Sequence, residues 1–472
     1  MASGASRIGS RVPAFARTAA CWAVLALAGA PAARPAWGAE RPATDLAAGA
    51  AAYQHSCARC HGAGGQGDGL DAKRFYPKPR DLAMGVYKFR STMSGTPPTD
   101  DDLFRTITVG LPGTNMPEWS YLDEATRWQL VAYLKSLSPA FEQTPPAPIT
   151  LPPEPARADL AKGRQVYEQL GCAACHGPRG RANGTSAAGL VDDWGMPIRP
   201  ADLTTGWAYR GGQAPAEILT RVLAGIDGAG MPSYSEAVAP EDAWHLAHYV
   251  ASLQEPEHGA FILRPLHVEG ALPAAADDRR WAEAEPADMR VRHVVAEGGE
   301  WAHPPTVVAV AIRGIENGTD LSLRLTWHDP SQDQAPAADS VAVVFAPEGQ
   351  AGDAVTLHAW PYAGSPPLDV CHWSAATGQG FEMLAQSFDS LFAKGNHRAA
   401  RPAAAAYDDG RWDLVLQRPL HPGTPEGAAQ LSPEVFGQLA VVVWDGGNPK
   451  ARAVSPWVDV ALRNPDRRAH AH

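Results

Sequence analysis

Cys57-Ala58-Arg59-Cys60-His61 and Cys172-Ala173-Ala174-Cys175-His176 are the stretches on which the reading of this 472-residue chain turns. Two thiols separated by two residues reach the two vinyl groups along one edge of a porphyrin, and the adjacent imidazole then sits under the iron as an axial ligand. The full five-residue pattern, found twice, predicts two covalently attached haems. Two other readings compete. Four cysteines in two pairs could hold one zinc, or a single pair could work as a redox dithiol. The first leaves the histidine after each pair unexplained, and the second leaves the duplication unexplained.

Working outward from the two motifs, the flanks repeat as well. Asp45-Leu46-Ala47 with Gly49 and Tyr53 returns as Asp159-Leu160-Ala161 with Gly163 and Tyr167. Behind each motif stands Pro-x-Asp-Leu, as Pro79-Arg80-Asp81-Leu82 and Pro200-Ala201-Asp202-Leu203, followed by Phe89-Arg90 and Tyr209-Arg210. Each unit closes on a helical apolar stripe: Trp128, Leu130, Tyr133, Leu134 and Leu137 match Trp244, Leu246, Tyr249, Val250 and Leu253. Asp123 and Pro240-Glu241-Asp242 supply helix starts, with acidic side chains on the positive end of the helix dipole.

A haem iron that carries electrons without binding substrate needs a second axial group, and a methionine thioether raises its potential. Met116, in Gly113-Thr114-Asn115-Met116-Pro117, follows His61 by 55 positions; Met231, in Gly228-Ala229-Gly230-Met231-Pro232, follows His176 by 55 as well. These two are the expected ligands. Met196 also precedes a proline but has no counterpart in the first unit, and Met84 and Met93 have none in the second.

On these motifs, residues 41–138 and 156–255 each resemble a class I cytochrome c domain, and the pair is similar in arrangement to tandem dihaem cytochromes. The resemblance implies a small helical fold around each haem and low-spin His/Met iron. Pro139 to Pro155, rich in proline, reads as the linker. Residues 1–39 read as an export signal: Arg7, Arg11 and Arg17 precede the apolar run Ala19 to Ala30, and small residues follow at Ala36, Gly38 and Ala39. Export to the periplasm agrees with c-type attachment, which the resemblance places outside the cytoplasm. No other stretch is long and apolar enough for a membrane helix, so no span is expected after signal cleavage. A net charge of -11 argues against nucleic acid as a partner. Of six cysteines, Cys21 lies in the signal and Cys371 is left over, which excludes an even-numbered disulfide framework.

Beyond residue 255 the period changes to two. Val308, Val310 and Ile312 alternate, Asn317-Gly318 signals a tight hairpin, and Leu321, Leu323, Leu325 and Trp327 alternate again. Val341 to Phe345, Trp412 to Leu416 and Leu439 to Trp444 are further strands. The expected fold class is therefore multidomain, two all-α cytochrome c domains followed by an all-β sandwich domain.

Trp327-His328-Asp329-Pro330, Asp339 to Phe345, Val370-Cys371-His372-Trp373, Arg418-Pro419-Leu420, Val443-Trp444-Asp445-Gly446 and Ser455-Pro456-Trp457 resemble the haem-binding subunit of ethylbenzene-dehydrogenase-type molybdenum enzymes. This second resemblance covers residues 275–465 and implies one b-type haem between a methionine and a lysine. The methionine's place reads Tyr362-Ala363-Gly364, and Lys450 serves as the lysine only with a register shift, whereas Arg452 stays protonated. His358, Cys371 and His372 stand near the altered site as other candidate ligands for a third haem.

The expected function is electron transfer to or from a periplasmic redox partner, by the family analogy a molybdenum oxidoreductase. The alternative is a haem enzyme, a peroxidase or small-molecule dehydrogenase, with one iron left open; two matched methionines argue against it. A sensor with a ligand-binding β domain is a third reading, for which no polar cluster in that half identifies a ligand.

Overall fold

The residues repeated in the first half build two matching helical frames. The computed structural model describes residues 43–256, 262–295, 306–334, 337–346, 357, 360, 364–392, 399–422, 428–433, 437–446 and 451–462. The segment read as an export signal, His358 and Lys450 lie outside the described residues. The first copy contains α1 (Leu46–Ser56), α2 (Ala58–His61), α3 (Asp100–Val109) and α4 (Glu124–Ser136), and a short α5 (Ala140–Gln143) follows it. The second contains α6 (Leu160–Gln169), α7 (Cys172–His176), α8 (Pro215–Ala224) and α9 (Pro240–Ser252).

Asp45 and Asp159 are the N-caps of α1 and α6, accepting from the amides of Ala48 and of Ala161 and Lys162; such a cap is worth about 1 kcal/mol. Gly49 and Gly163 are where the first and last helices of each copy cross. A Cβ on Gly49 would strike the carbonyl oxygen of Gln129 in α4, and one on Gly163 that of His245 in α9. Tyr53 and Tyr167 are buried, and their hydroxyls donate to the carbonyls of Gly62 and Gly177 just past the haem motifs, at 2.8 and 2.7 Å. Every element of that repeat thus has one job: start the helix, let it cross, and tie it to the motif.

Asp123 caps α4 through the Thr126 amide, and α9 opens at Pro240, as expected from sequence. Trp128 stacks on Phe104 of α3 at 4.1 Å between ring centroids, and Trp244, Leu246 and Val250 enter one cluster with Ile218, Leu219 and Val222 of α8. Burying each of these side chains contributes roughly 1.5–3 kcal/mol. The expected linker does join the copies, yet it is bound down along its length. Met93 and Ile149 amides donate to the Ala147 and Ser91 carbonyls, and Trp244 Nε1 donates to the Pro152 carbonyl at 2.7 Å. No helix among the described residues is long and apolar enough to cross a membrane.

From residue 262 onward the chain is β-rich, in two mixed sheets. The larger runs Ile262–Leu263, Val458–Val460, Gly437–Trp444, Ser340–Phe345, Leu368–Ser374, Gly380–Ala385, Ala399–Arg401, with Ala451–Val454 and Arg292–Val295 alongside. The smaller runs Ala403–Asp408, Arg411–Pro419, Asp320–His328, Ala309–Glu316, Leu266–His267, with Ala287–Arg290 beside Ala309–Glu316. Two pairings are parallel and the others antiparallel. The Asn317-Gly318 turn is present, with the Asn317 amide donating to Asp320 O and Gly318 at φ 86°.

The inner faces of both sheets fill one apolar cluster that includes Ile312, Leu325, Trp327, Val343, Trp373, Trp412 and Val441. Ser340–Phe345 is buried at all six residues because a second cluster, with Val344, Trp360, Val370, Phe388 and Val442, covers the other face of the larger sheet. A strand covered on both sides reads as an unbroken apolar run, and Val341 to Phe345 is one.

Candidate functional site

The two haem motifs open onto one cavity of about 820 Å³, lined by Cys57, Cys60, His61 and Met116 from the first copy and by Cys172, Cys175, His176 and Met231 from the second. All eight predicted residues therefore come to the same space. Each motif histidine is fixed by the repeat behind it: His61 Nδ1 meets the Arg80 carbonyl at 3.0 Å and His176 Nδ1 meets the Ala201 carbonyl at 2.8 Å. A ring nitrogen that donates to a carbonyl leaves Nε2 as the one available to a metal, and it sets the ring's orientation. Burial pulls both imidazoles below their ordinary range, which keeps them in the neutral, ligating form. Arg80 and Ala201 occupy the variable position of Pro-x-Asp-Leu. Their backbone oxygens are what orient the imidazoles, a role that does not depend on the side chain at that position.

The methionine loops also match. The Leu111 amide donates to Met116 O and the Ile226 amide to Met231 O, at 3.1 and 2.9 Å. Downstream, the Trp119 and Tyr234 amides donate to Ile107 O and Val222 O. Both loops begin at a glycine in the left-handed region, Gly110 at φ 66° and Gly225 at φ 65°, where a side chain would be strained. The rival methionines differ: Met84 is 52% exposed with its sulfur 3.1 Å from Trp194 Nε1, and Met93 is 38% exposed. Met196 does line the cavity, in a turn closed by Asp192, but it sits in no counterpart of the Met116 loop.

Burial raises the Cys57 thiol to about 12 and the Cys172 thiol to about 11. Among the described residues, the one set of three or more metal-ligating side chains at coordination spacing is Asp329, Asp339 and Asp445, which includes no cysteine. The single-zinc reading is therefore not supported by geometry.

The cavity also fits the charge of a haem. Arg80, Lys88, Arg199, Arg210 and Arg221 line it, matched to carboxylates such as haem propionates. Burial lowers Arg80 and Arg221 to about 10 and Lys88 to about 8, so the three remain largely cationic at neutral pH. Tyr87 Oη, Trp119 Nε1 and Arg221 Nε are buried with no hydrogen-bond partner, donors pointing to an acceptor the polypeptide does not supply. Sequence reading missed these donors; the signal that could have found them is an aromatic residue at the matching place of the second copy, Trp207 for Tyr87 and Tyr234 for Trp119.

The copies interlock across the cavity. Lys88 pairs with Asp192 at 3.3 Å, the Arg80 guanidinium lies 4.1 Å from the Trp194 ring centroid, and the Tyr76 hydroxyl donates to Pro197 O. Arg90, 1% exposed, pairs with Asp227 at 2.8 Å and donates to Ala224 O, and Arg221 returns the contact by donating to the carbonyls of Lys88 and Arg90. The β-rich region closes one side through Thr306, Val308, His328 and Pro330, with His328 Nδ1 3.1 Å from the Asp202 carboxylate.

Of the candidate ligands for a third haem, Cys371 and His372 lie among the described residues. Cys371 and His372 are successive residues of Leu368–Ser374 and so face opposite sides of the sheet. Cys371 packs in the core between the sheets, and the His372 ring lies against Phe392 and Trp444 on the other face.

Comparison with known proteins is consistent with this geometry. The model for "Cytochrome C oxidase, cbb3-type, subunit III" matches residues 44–134 and 158–250. The cbb3-type cytochrome c oxidase subunit CcoP of Azospirillum sp. (strain B510) is 32% identical over 220 residues, 44% of this chain and 62% of that protein. The CcoP of Azospirillum brasilense is 29% identical over 216 residues, with the same shares of each chain. The chain thus spans 62% of the length of the curated relatives it matches. Among solved structures, a chain of the Kuenenia stuttgartiensis reducing HAO-like protein complex Kustc0457/Kustc0458 is 42% identical, with 46% of this chain and 100% of that one covered and a TM-score of 0.43. The helical half of this chain consists of tandem cytochrome c domains.

Proposed function

We propose that this protein is an exported dihaem c-type cytochrome that passes electrons to or from a periplasmic oxidoreductase. Cys57 and Cys60, and Cys172 and Cys175, carry the two covalent haems; His61 with Met116 and His176 with Met231 are the axial pairs. The observation that carries this reading is the matched pair of imidazoles, each with Nδ1 held by a backbone carbonyl, opening onto a space lined by the matched methionines. Bound haem supplies a reversible one-electron iron couple. The polypeptide supplies two protein ligands per iron, which keep substrates off the metal, and an apolar enclosure, which excludes water and raises the potential. Because both sites open on one cavity, electrons cross between them without leaving the protein.

The β-rich region serves, in this proposal, as a platform for the second copy and for the partner enzyme. It keeps the sandwich architecture of the ethylbenzene-dehydrogenase-type subunit; Cys371 and His372, on opposite faces of one strand, do not serve one iron together. A molybdenum oxidoreductase is the partner class drawn from that resemblance.

A pyridine haemochrome assay with acid-acetone extraction tests the haem count: two covalent haems and nothing extracted is the expected result. Met116→Ala and Met231→Ala should each remove about half of the near-infrared thioether-to-iron band and lower one of two midpoint potentials. If either substitution left the band untouched, or if one iron of the wild type were high-spin, the electron-transfer assignment would fail in favour of a catalytic haem.

A further inference from the structure

Three carboxylates from the second resemblance have no part in the haem sites. Asp329 follows strand Asp320–His328 of the smaller sheet, Asp339 precedes Ser340–Phe345, and Asp445 follows Gly437–Trp444, both of the larger sheet. One oxygen from each lies within 4.8 Å of the others, and Asp329 and Asp339 are both 0% exposed. The hydrogen-bond donors to Asp329 and Asp339 are neutral. Asp339 accepts from the amides of Gly446 and Asp333 at 2.9 Å each and from Trp412 Nε1 at 3.0 Å. The Thr306 hydroxyl bridges Asp445 and Asp329, at 2.9 and 3.3 Å, and Ser331 donates to Asp329 Oδ1 from its amide and its hydroxyl. Asp329 Oδ2 is left buried with no hydrogen-bond partner at all.

We propose that Asp329, Asp339 and Asp445 hold one calcium ion that ties the two sheets together at the end facing the second cytochrome copy. Neutral donors solvate the charges of Asp329 and Asp339 but do not cancel them, and the orphaned Asp329 Oδ2 in a dry site is costly unless a cation meets it. An all-oxygen donor set selects a hard cation. Burial favours calcium over magnesium, since magnesium gives up its water reluctantly. The ion sits one residue from His328, whose ring meets Asp202 of the second copy, so it would stiffen the surface on which that copy rests.

The experiment uses the full-length haem-loaded protein, treated with EGTA and then freed of it. Titration with calcium chloride should show one ion bound per chain, and calcium should raise the melting temperature of the far-ultraviolet signal while the Soret band stays unchanged. Asp329→Asn should weaken calcium binding by about tenfold or more and remove the calcium-dependent rise. Asp445→Asn, at the less buried corner, gives the same test if the first variant does not fold. Absence of calcium binding at millimolar concentration, equal binding of magnesium, or an Asp329→Asn protein that melts higher than wild type without calcium would overturn the proposal; the last would show that a shared proton neutralises the cluster. None of these outcomes bears on the haem count, so the two readings fail separately.

Discussion

The two cytochrome copies hold the same residues at the same intervals and use some of them differently. Arg90 and Arg210 follow Phe89 and Tyr209 at matching places, yet Arg90 is buried as a clamp on Asp227 of the other copy, whereas Arg210 lines the shared cavity. The turn after each haem motif diverges too. Gly64, Gln66 and Asp68 of the first copy correspond to Arg179, Arg181 and Asn183 of the second. All three second-copy side chains converge on Asp409, at 2.7, 3.2 and 3.0 Å. Arg411 meets Glu255, and Arg290 stacks over Trp207 at 4.4 Å from the same β-rich side. Duplication preserved what holds a haem and released what faces the neighbours. One copy became the docked member of the pair and the other kept its motif turn free of Asp409.

The largest expected effect that separates the copies is a pH dependence on the docked side. His293, 5% exposed on strand Arg292–Val295, has Arg210 of the second copy among its charged neighbours, and burial lowers it from 6.5 to about 4. The unfolded chain takes up its proton near pH 6.5, while the folded chain resists until about pH 4. Stability is therefore lost as pH falls through that window, by about 3 kcal/mol, and is flat above it. Denaturant unfolding of the wild type and His293→Phe at pH 7 and pH 4.5 should converge at the lower value; parallel stabilities across the range would mean that the imidazole is solvated.

A smaller effect should follow from breaking the clamp between copies. Arg90→Met leaves Asp227 with only the Ser94 hydroxyl and the Gly95 amide, at 2.7 and 2.9 Å, and should cost about 2 kcal/mol. Arg210→Met, at the matching place, should leave stability nearly unchanged and move a haem potential instead. Melting curves beside redox titrations of the two variants would separate these roles, and equal melting losses would collapse the contrast. The smallest effect belongs to Asp409→Asn. Its ion pairs are partly exposed, so about 1 kcal/mol is at stake, diminishing as salt rises. Hydrogen exchange should speed up in the turn at 179–183 and remain unchanged at 64–68.

Much of this was legible before any fold was known. The helix start at Asp123 and the hairpin at Asn317-Gly318 depend on neighbours close in sequence and appear where expected, and the repeated Asp45 and Asp159 prove to be helix caps. Pro-x-Asp-Leu was visible as a repeat, but its use was not. The group that matters is a backbone carbonyl, which leaves no side-chain signature. The 139–155 segment reads as a spacer from its prolines, yet Ser91 and Trp244 on either copy bind it.

What the amino-acid order determined by itself was local and periodic: two helical units, two Cys-x-x-Cys-His motifs, and strands that alternate or run fully apolar. Those features depend on rotations within a few residues and on which face must leave water. What only the tertiary structure decided was convergence. Both sites share one cavity, Arg90 and Arg210 parted ways, Cys371 and His372 fell on opposite faces of a sheet, and three aspartates from distant strands met at one end. Such meetings join residues tens to hundreds of positions apart, and the chain carries no periodic signal for distances set by how helices and sheets pack on one another.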